Sequence, residues 1–237
     1  MIDSMRAPVE SRDLAVAPRT AVRRGRGADL AGRLGLLGFV AIFGLVRARR
    51  SDAIDLAVTM KLQRWSQPRL GGPMAAISWP GFPPQSRIIP AVIVAVLFLL
   101  RLPLEAVALI GAWGTALVAT VVKALMRRPR PVAGVDVRVI AAPLGGSSFP
   151  SGHTITYVGL YGFLAYLAFT LIRPAWLRGL VTAPLVGLVA FVGPSRVYQG
   201  HHWFTDVTAS YLLGISYLLG LTRLYRGWKA RGTGEQP

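Results

Sequence analysis

The chain has 237 residues, of which 53% are hydrophobic and only 16% charged, and its mean hydropathy is +0.48. Soluble domains carry about 25% charged residues, so an ordinary soluble core is excluded and a bundle of membrane helices is indicated. The net charge of +17 comes mostly from basic residues flanking apolar segments. This fits anionic lipid surfaces and a phosphate substrate and argues against a nucleic-acid partner. With no cysteine, disulfides, thiolate metal sites and cysteine nucleophiles are excluded.

Residues 1–29 are polar and Arg-rich without an apolar period, the pattern of a disordered basic cytoplasmic tail. The apolar run Leu30–Val46 is the first span. It lies too far into the chain for a cleaved signal, and RARR follows it directly. Residues 47–87 form a long connection. Within it Ile54, Leu56, Ala57, Met60 and Leu62 predict a short amphipathic helix, and the WPGFPP run (Trp79–Pro84) forces irregular backbone.

Further spans are predicted over Ile88–Leu102, Leu104–Met126, Thr154–Ile172, Ala175–Gly193 and Phe204–Leu224. A bilayer core asks for about 20 apolar residues per helix, so the second span is short. Residues 227–237 close the chain as a second cytoplasmic tail. The expected fold is all-α, a polytopic bundle of about six transmembrane helices over residues 30–226. Six spans put both termini on one side of the membrane. They put the ends of spans three and five, and the starts of spans four and six, together on the other.

Three motifs sit at those four ends. In the first, Lys123 lies near the end of a span, where a charge has little reason to be unless it serves a site. Pro129 and Pro131 around Arg130 disfavour helix, so that guanidinium should project from a turn and suit bidentate capture of phosphate oxygens. Arg127 and Arg128 read more simply as snorkelling flanks.

The second motif is Pro150-Ser151-Gly152-His153 at the start of span four. Ser151 or Gly152 can cap the helix and offer backbone N–H groups to phosphate, and His153 can serve as a general acid. Taken alone this is an ordinary Ser-Gly cap. The third motif runs from Ser195-Arg196 to His202 and Asp206. His202 and Asp206 are four apart and share a helical face, so the carboxylate can orient the imidazole while the other ring nitrogen attacks phosphorus. Arg196 adds a cation. Trp203 and Phe204 suit an interfacial belt, and His201 is a second nucleophile candidate.

The order Lys-x6-Arg-Pro, Pro-Ser-Gly-His, Ser-Arg-x5-His-x3-Asp resembles the signature of the type-2 phosphatidic acid phosphatase and vanadium haloperoxidase superfamily, over residues 85–225. The resemblance implies an integral membrane lipid phosphatase with a phosphohistidine intermediate. His202 would be the nucleophile, Asp206 its orienting partner and His153 the acid. Lys123, Arg130, Ser151, Gly152 and Arg196 would hold the phosphate, with no metal and no cofactor. Partners would be a lipid phosphate substrate and membrane lipids. Phosphatidic acid, phosphatidylglycerophosphate and polyprenyl phosphates or pyrophosphates all satisfy the motifs.

Three other readings compete. Haloperoxidase chemistry would reuse the cradle for vanadate, but the family's soluble peroxidases lack a six-span frame. Transport or lipid binding would spread charge along a pore, whereas these charges gather at one face. Metal-dependent hydrolysis would draw on His153, His201, His202 and Asp206, yet the neighbouring Lys and Arg would repel a dication. The Lys and Arg flanks divide evenly between the two sides. Setting aside Lys123, Arg130 and Arg196 as ligands places the termini in the cytoplasm and hence the site on the extracytoplasmic face, and the Arg- and Ala-rich composition without cysteine points to a bacterial plasma membrane.

Overall fold

In a computed structural model, residues 18–65, 70–134, 137–140 and 144–232 are described, and among them the only regular structure is helical. The helices are α1 (Pro18–Arg47), α2 (Asp52–Trp65), α3 (Gly71–Ser78), α4 (Gln85–Leu99), α5 (Pro103–Trp113), α6 (Thr115–Met126), α7 (Gly152–Leu171), α8 (Ala175–Tyr198) and α9 (Phe204–Gly232). A short 3-10 turn, Trp79–Gly81, follows α3.

Among the described residues five stretches are long and apolar enough to cross a membrane: Gly25–Arg47, Pro103–Met126, Gly152–Leu171, Ala175–Tyr198 and Phe204–Arg231. A sixth arises if α3 and α4, bent by 59° across Phe82–Pro84, count as one broken span. The predicted second span is α4. Its 15 residues make about 22 Å of helix, short of the roughly 30 Å hydrocarbon core.

The expected tails are only partly disordered candidates. Residues 1–17 and 233–237 lie outside the described residues, but residues 18–29 continue α1 as helix and residues 227–232 continue α9. Helix propagates cheaply from a formed span, and tertiary pairing supports both extensions. Asp29 takes Arg223 through both carboxylate oxygens at 2.6 Å. Lys229 Nζ donates to the buried Glu105 at 2.7 Å, beside the Tyr225 hydroxyl at 2.8 Å from the same oxygen.

Helix α7 is the central post, with buried residues on most of its faces. Its Tyr157, Leu160 and Phe163 pack with Leu109, Ala112 and Val192 in the main core. Small residues let backbones approach, as membrane packing favours: a Cβ on Gly159 would lie 2.5 Å from the Ala112 carbonyl. Large apolar side chains of α1, α4 and α8 face outward, where lipid replaces water.

The amphipathic helix expected in the connection is α2, and its polar face turns inward. Ile54 and Leu56 are exposed, while Ser51, Asp55, Thr59 and Gln63 are buried. Those polar residues recur every four positions and so form one stripe. At the rim of a membrane bundle the apolar face meets lipid, and the polar face turns inward onto the loops that carry the motifs.

Candidate active site

The three motif loops are stitched to one another by backbone groups. Arg127 closes α6 in the left-handed region (φ 48). Beyond it the Ser148 N–H donates to the Arg128 carbonyl at 2.8 Å and the Ser148 hydroxyl to the Pro129 carbonyl at 3.0 Å. Ser151 is the N-cap of α7, its hydroxyl oxygen accepting from the Thr154 N–H. Its own N–H is already used, by the Ser210 hydroxyl at 2.8 Å. The first-turn N–H of Gly152 has no intrahelical partner, as at any helix start.

Pro194 removes an N–H from α8, which would orphan the Ala190 carbonyl. The Tyr211 hydroxyl of α9 lies 3.0 Å from that oxygen, so the helix continues to Ser195 and Arg196. Gly200 (φ +71) turns the chain where a Cβ would meet the Arg138 carbonyl at 2.3 Å. Asp206 then closes the start of α9, accepting the Trp203 N–H at 2.8 Å as in a capping box.

Around this frame the predicted residues converge. Lys123 Nζ donates to the Ser147 carbonyl at 2.7 Å. Arg130 donates to the carbonyls of Gly145, Ser147 and His201, and its Nη1 is 3.2 Å from His202 Nε2. His202 Nδ1 is 2.7 Å from the Ser148 carbonyl. Arginine only donates and a carbonyl only accepts, so the proton sits on Nδ1 and the Nε2 lone pair faces Arg130. Burial first, then the charges of Arg196, Arg130 and Lys123, hold His202 well below the ordinary imidazole value of 6.5. His202 is in the connection between α8 and α9, and it is neutral across the physiological range.

The orienting role expected of Asp206 is divided differently from the sequence reading. Its Oδ2 is 3.6 Å from His202 Nδ1, beyond hydrogen-bond length. The Ser148 carbonyl fixes the tautomer, and Asp206 contributes its charge from behind. The spacing i, i+4 brings the two side chains together but cannot foresee a carbonyl supplied by another loop.

Arg128 is the second departure. It does not snorkel; it is 8% exposed and spans two carboxylates, with Nη1 2.7 Å from Asp206 and Nη2 2.6 Å from Asp55. Asp55 also accepts the Thr205 N–H and hydroxyl, each at 2.8 Å. Helix α2 is thereby locked to the first turn of α9. The sequence carried a signal for this, the polar stripe at 51, 55, 59 and 63, which the apolar residues of α2 masked. Asp55→Ala removes one of the two carboxylates paired with a buried guanidinium and leaves Asp206 to hold it alone, which costs on the order of 3 kcal/mol. The expected result is a lower melting temperature and a lower kcat at unchanged KM, because Asp55 acts on Asp206 only through Arg128 and Thr205 and contacts no substrate-facing group. Thermal melts and steady-state kinetics on one preparation check both.

Arg196 and His153 complete the site. Arg196 is fully buried over the Phe82 ring at 4.9 Å, with Nη1 on Gln199 at 2.8 Å. Its Nε and Nη2 are buried without a hydrogen-bond partner among the described residues, as is His153 Nε2. Ser195 is turned away, its hydroxyl paired with that of Ser78. Phe82 also meets His153 edge-on at 4.7 Å, and a Cβ on Gly81 would enter the His153 ring. The α3–α4 turn is therefore a wall of the site, a role the sequence did not reveal.

From this wall a cavity of about 580 Å³ runs between α4, α5–α6 and α7. Lys123, Gly152 and His153 line it together with Trp113, Leu117 and Leu160. Among the described residues no group of three or more His, Cys, Asp or Glu is arranged to hold a metal.

Comparison with known proteins yields one family and two folds of the same kind. The family model of the PAP2 superfamily matches residues 104–230. Phosphatidylglycerophosphatase B of Bacillus subtilis (strain 168) is 27% identical over 186 residues, 76% of this chain and 87% of that protein. The crystal structure of a transmembrane PAP2 type phosphatidylglycerolphosphate phosphatase from Bacillus subtilis superposes with a TM-score of 0.69 at 25% identity, covering 84% of this chain and 96% of that one. Aquifex aeolicus LpxE shares the fold, with a TM-score of 0.57 at 21% identity over 71% of this chain and 94% of its own.

Proposed function

The chain belongs to the PAP2 superfamily, and from that premise we propose that it hydrolyses a lipid phosphate or pyrophosphate through a phosphohistidine formed on His202. The observation that carries this reading is the buried Arg196, whose Nε and Nη2 have no partner among the described residues, beside a neutral His202. Buried donors are almost always satisfied, and an oxyanion satisfies these.

The proposed reaction has two steps. His202 Nε2 attacks phosphorus, the bond to the leaving oxygen breaks, and His153 passes its proton to that oxygen. Water then attacks the phosphohistidine, giving its proton to the now neutral His153, and phosphate leaves. Arg196, Arg130, Lys123, the Gly152 N–H and the Ser151 hydroxyl would steady the charge on the equatorial oxygens. The cavity beside His153 would take the lipid leaving group. The phosphate end would face the extracytoplasmic side of a bacterial plasma membrane.

Phosphate release by detergent-purified protein across a panel of lipid phosphates and pyrophosphates, with EDTA present, tests the reading. Release that vanadate inhibits and EDTA does not supports it. Loss of all release in EDTA, recovered with a divalent ion, overturns the metal-free mechanism, and no release from any lipid turns the reading to binding or transport.

The depressed His202 value sets the pH dependence. Neutral His202 is needed for attack and protonated His153 for departure, so kcat/KM is expected to be bell-shaped with its acid limb below pH 6.5. For stability, the contribution of neutral His202 is complete above its unfolded value near 6.5 and is lost as pH falls through the lower folded value. A pH profile whose acid limb sits at 6.5 in wild type contradicts the buried, cation-flanked nucleophile.

A further inference from the structure

The cavity that starts at His153 does not end among apolar side chains alone. Arg87, on the first turn of α4, lines it together with Ser86. Arg87 takes part in no side-chain hydrogen bond or ion pair among the described residues, and no carboxylate lines the cavity. Its place is set by the α3–α4 turn. Gly81 abuts the His153 ring, and Arg87 follows six residues later across Pro83 and Pro84. A guanidinium without a side-chain partner among the described residues therefore lines the same cavity as His153.

We infer that Arg87 reads a second phosphate, carried by the leaving group itself. The inference rests on the phosphatase reading and narrows it. A phosphomonoester whose departing alcohol is a neutral diacylglycerol gives Arg87 nothing to bind. A lipid whose leaving group keeps a phosphodiester, or a lipid diphosphate whose leaving group is a lipid monophosphate, places an anion in the cavity. Guanidinium and phosphate then form charge-assisted hydrogen bonds at the mouth of a partly apolar groove. Arg196 and Arg87 thus divide the work: Arg196 holds the phosphoryl group that is transferred, and Arg87 holds the one that leaves.

The test compares wild type, Arg87→Ala and Arg87→Lys on three probes: phosphatidic acid, phosphatidylglycerophosphate and a polyprenyl diphosphate. Arg87 is exposed, so neither variant threatens the fold. The expected result for Arg87→Ala is a fall in kcat/KM of about tenfold or more on at least one of the two bis-phosphorylated lipids, and less than about twofold on phosphatidic acid. Arg87→Lys should recover part of the loss. Loss on only one of the two shows whether a phosphodiester or a diphosphate is the natural ligand. An equal loss on all three probes, or no loss on any, overturns the inference while leaving the phosphatase reading intact. Failure of wild type to hydrolyse any of the three overturns both.

Discussion

His202→Ala is expected to lower phosphate release by a factor on the order of 10⁴ or more and to leave no acid-labile phosphoenzyme. The magnitude follows from the site's construction. The Nε2 lone pair is the group aimed by two fixed partners, the Ser148 carbonyl on Nδ1 and the Arg130 guanidinium at 3.2 Å. Water has no equivalent anchor there. His201 is also buried, but it is His202 whose Nδ1 lies 2.7 Å from the Ser148 carbonyl. Rapid quench with a labelled lipid phosphate, followed by alkaline and acid stability assays, reads the intermediate directly. Turnover within tenfold of wild type, or an undiminished phosphoenzyme, removes His202 from the nucleophile's role.

Arg196→Met is expected to separate activity from stability. Arg196 Nε and Nη2 are buried with no hydrogen-bond partner among the described residues, and a desolvated donor without a protein partner costs stability. Methionine keeps an unbranched apolar stem over Phe82 without that charge. The phosphate-free variant should therefore melt at or above the wild-type temperature, while kcat/KM falls by about 10²- to 10³-fold, the usual loss for a transition-state donor. Vanadate or phosphate, which should raise the wild-type melting temperature by mass action, should have little effect on the variant. Equal vanadate stabilisation of both proteins shows that Arg196 serves the fold rather than the anion.

Such a trade belongs to sites that must accept charge. The opposite end of the bundle shows the contrast. Glu105, Tyr225 and Lys229 are also buried or partly buried and polar, but they satisfy one another at 2.7 to 3.0 Å. That cluster ties α5 to α9 through groups that pair with one another. Cations at the motif end differ because Arg196 was left incomplete.

The sequence by itself determined the bundle, the approximate spans and the family, because each depends on local information. Apolar runs of about 20 residues declare helices in lipid whatever their neighbours, and Lys123, His153, Arg196, His202 and Asp206 stand at fixed spacings along the chain. It also placed those residues at one end, since alternation of spans leaves only two sides. Tertiary structure alone decided which polar groups meet. The Ser148 carbonyl, not Asp206, holds His202 Nδ1. Arg128 is a buried strut between Asp55 and Asp206 rather than a flank. The polar stripe of α2 faces inward and its apolar face outward, the reverse of what water would impose. Gly81, Phe82 and Arg87 wall a cavity from a connection whose composition announced only a turn. A hydrogen bond between residues separated by 50 or more positions depends on how loops are brought together. In a bundle surrounded by lipid, hydrophobicity says which segments cross but not which face of a rim helix turns toward the site.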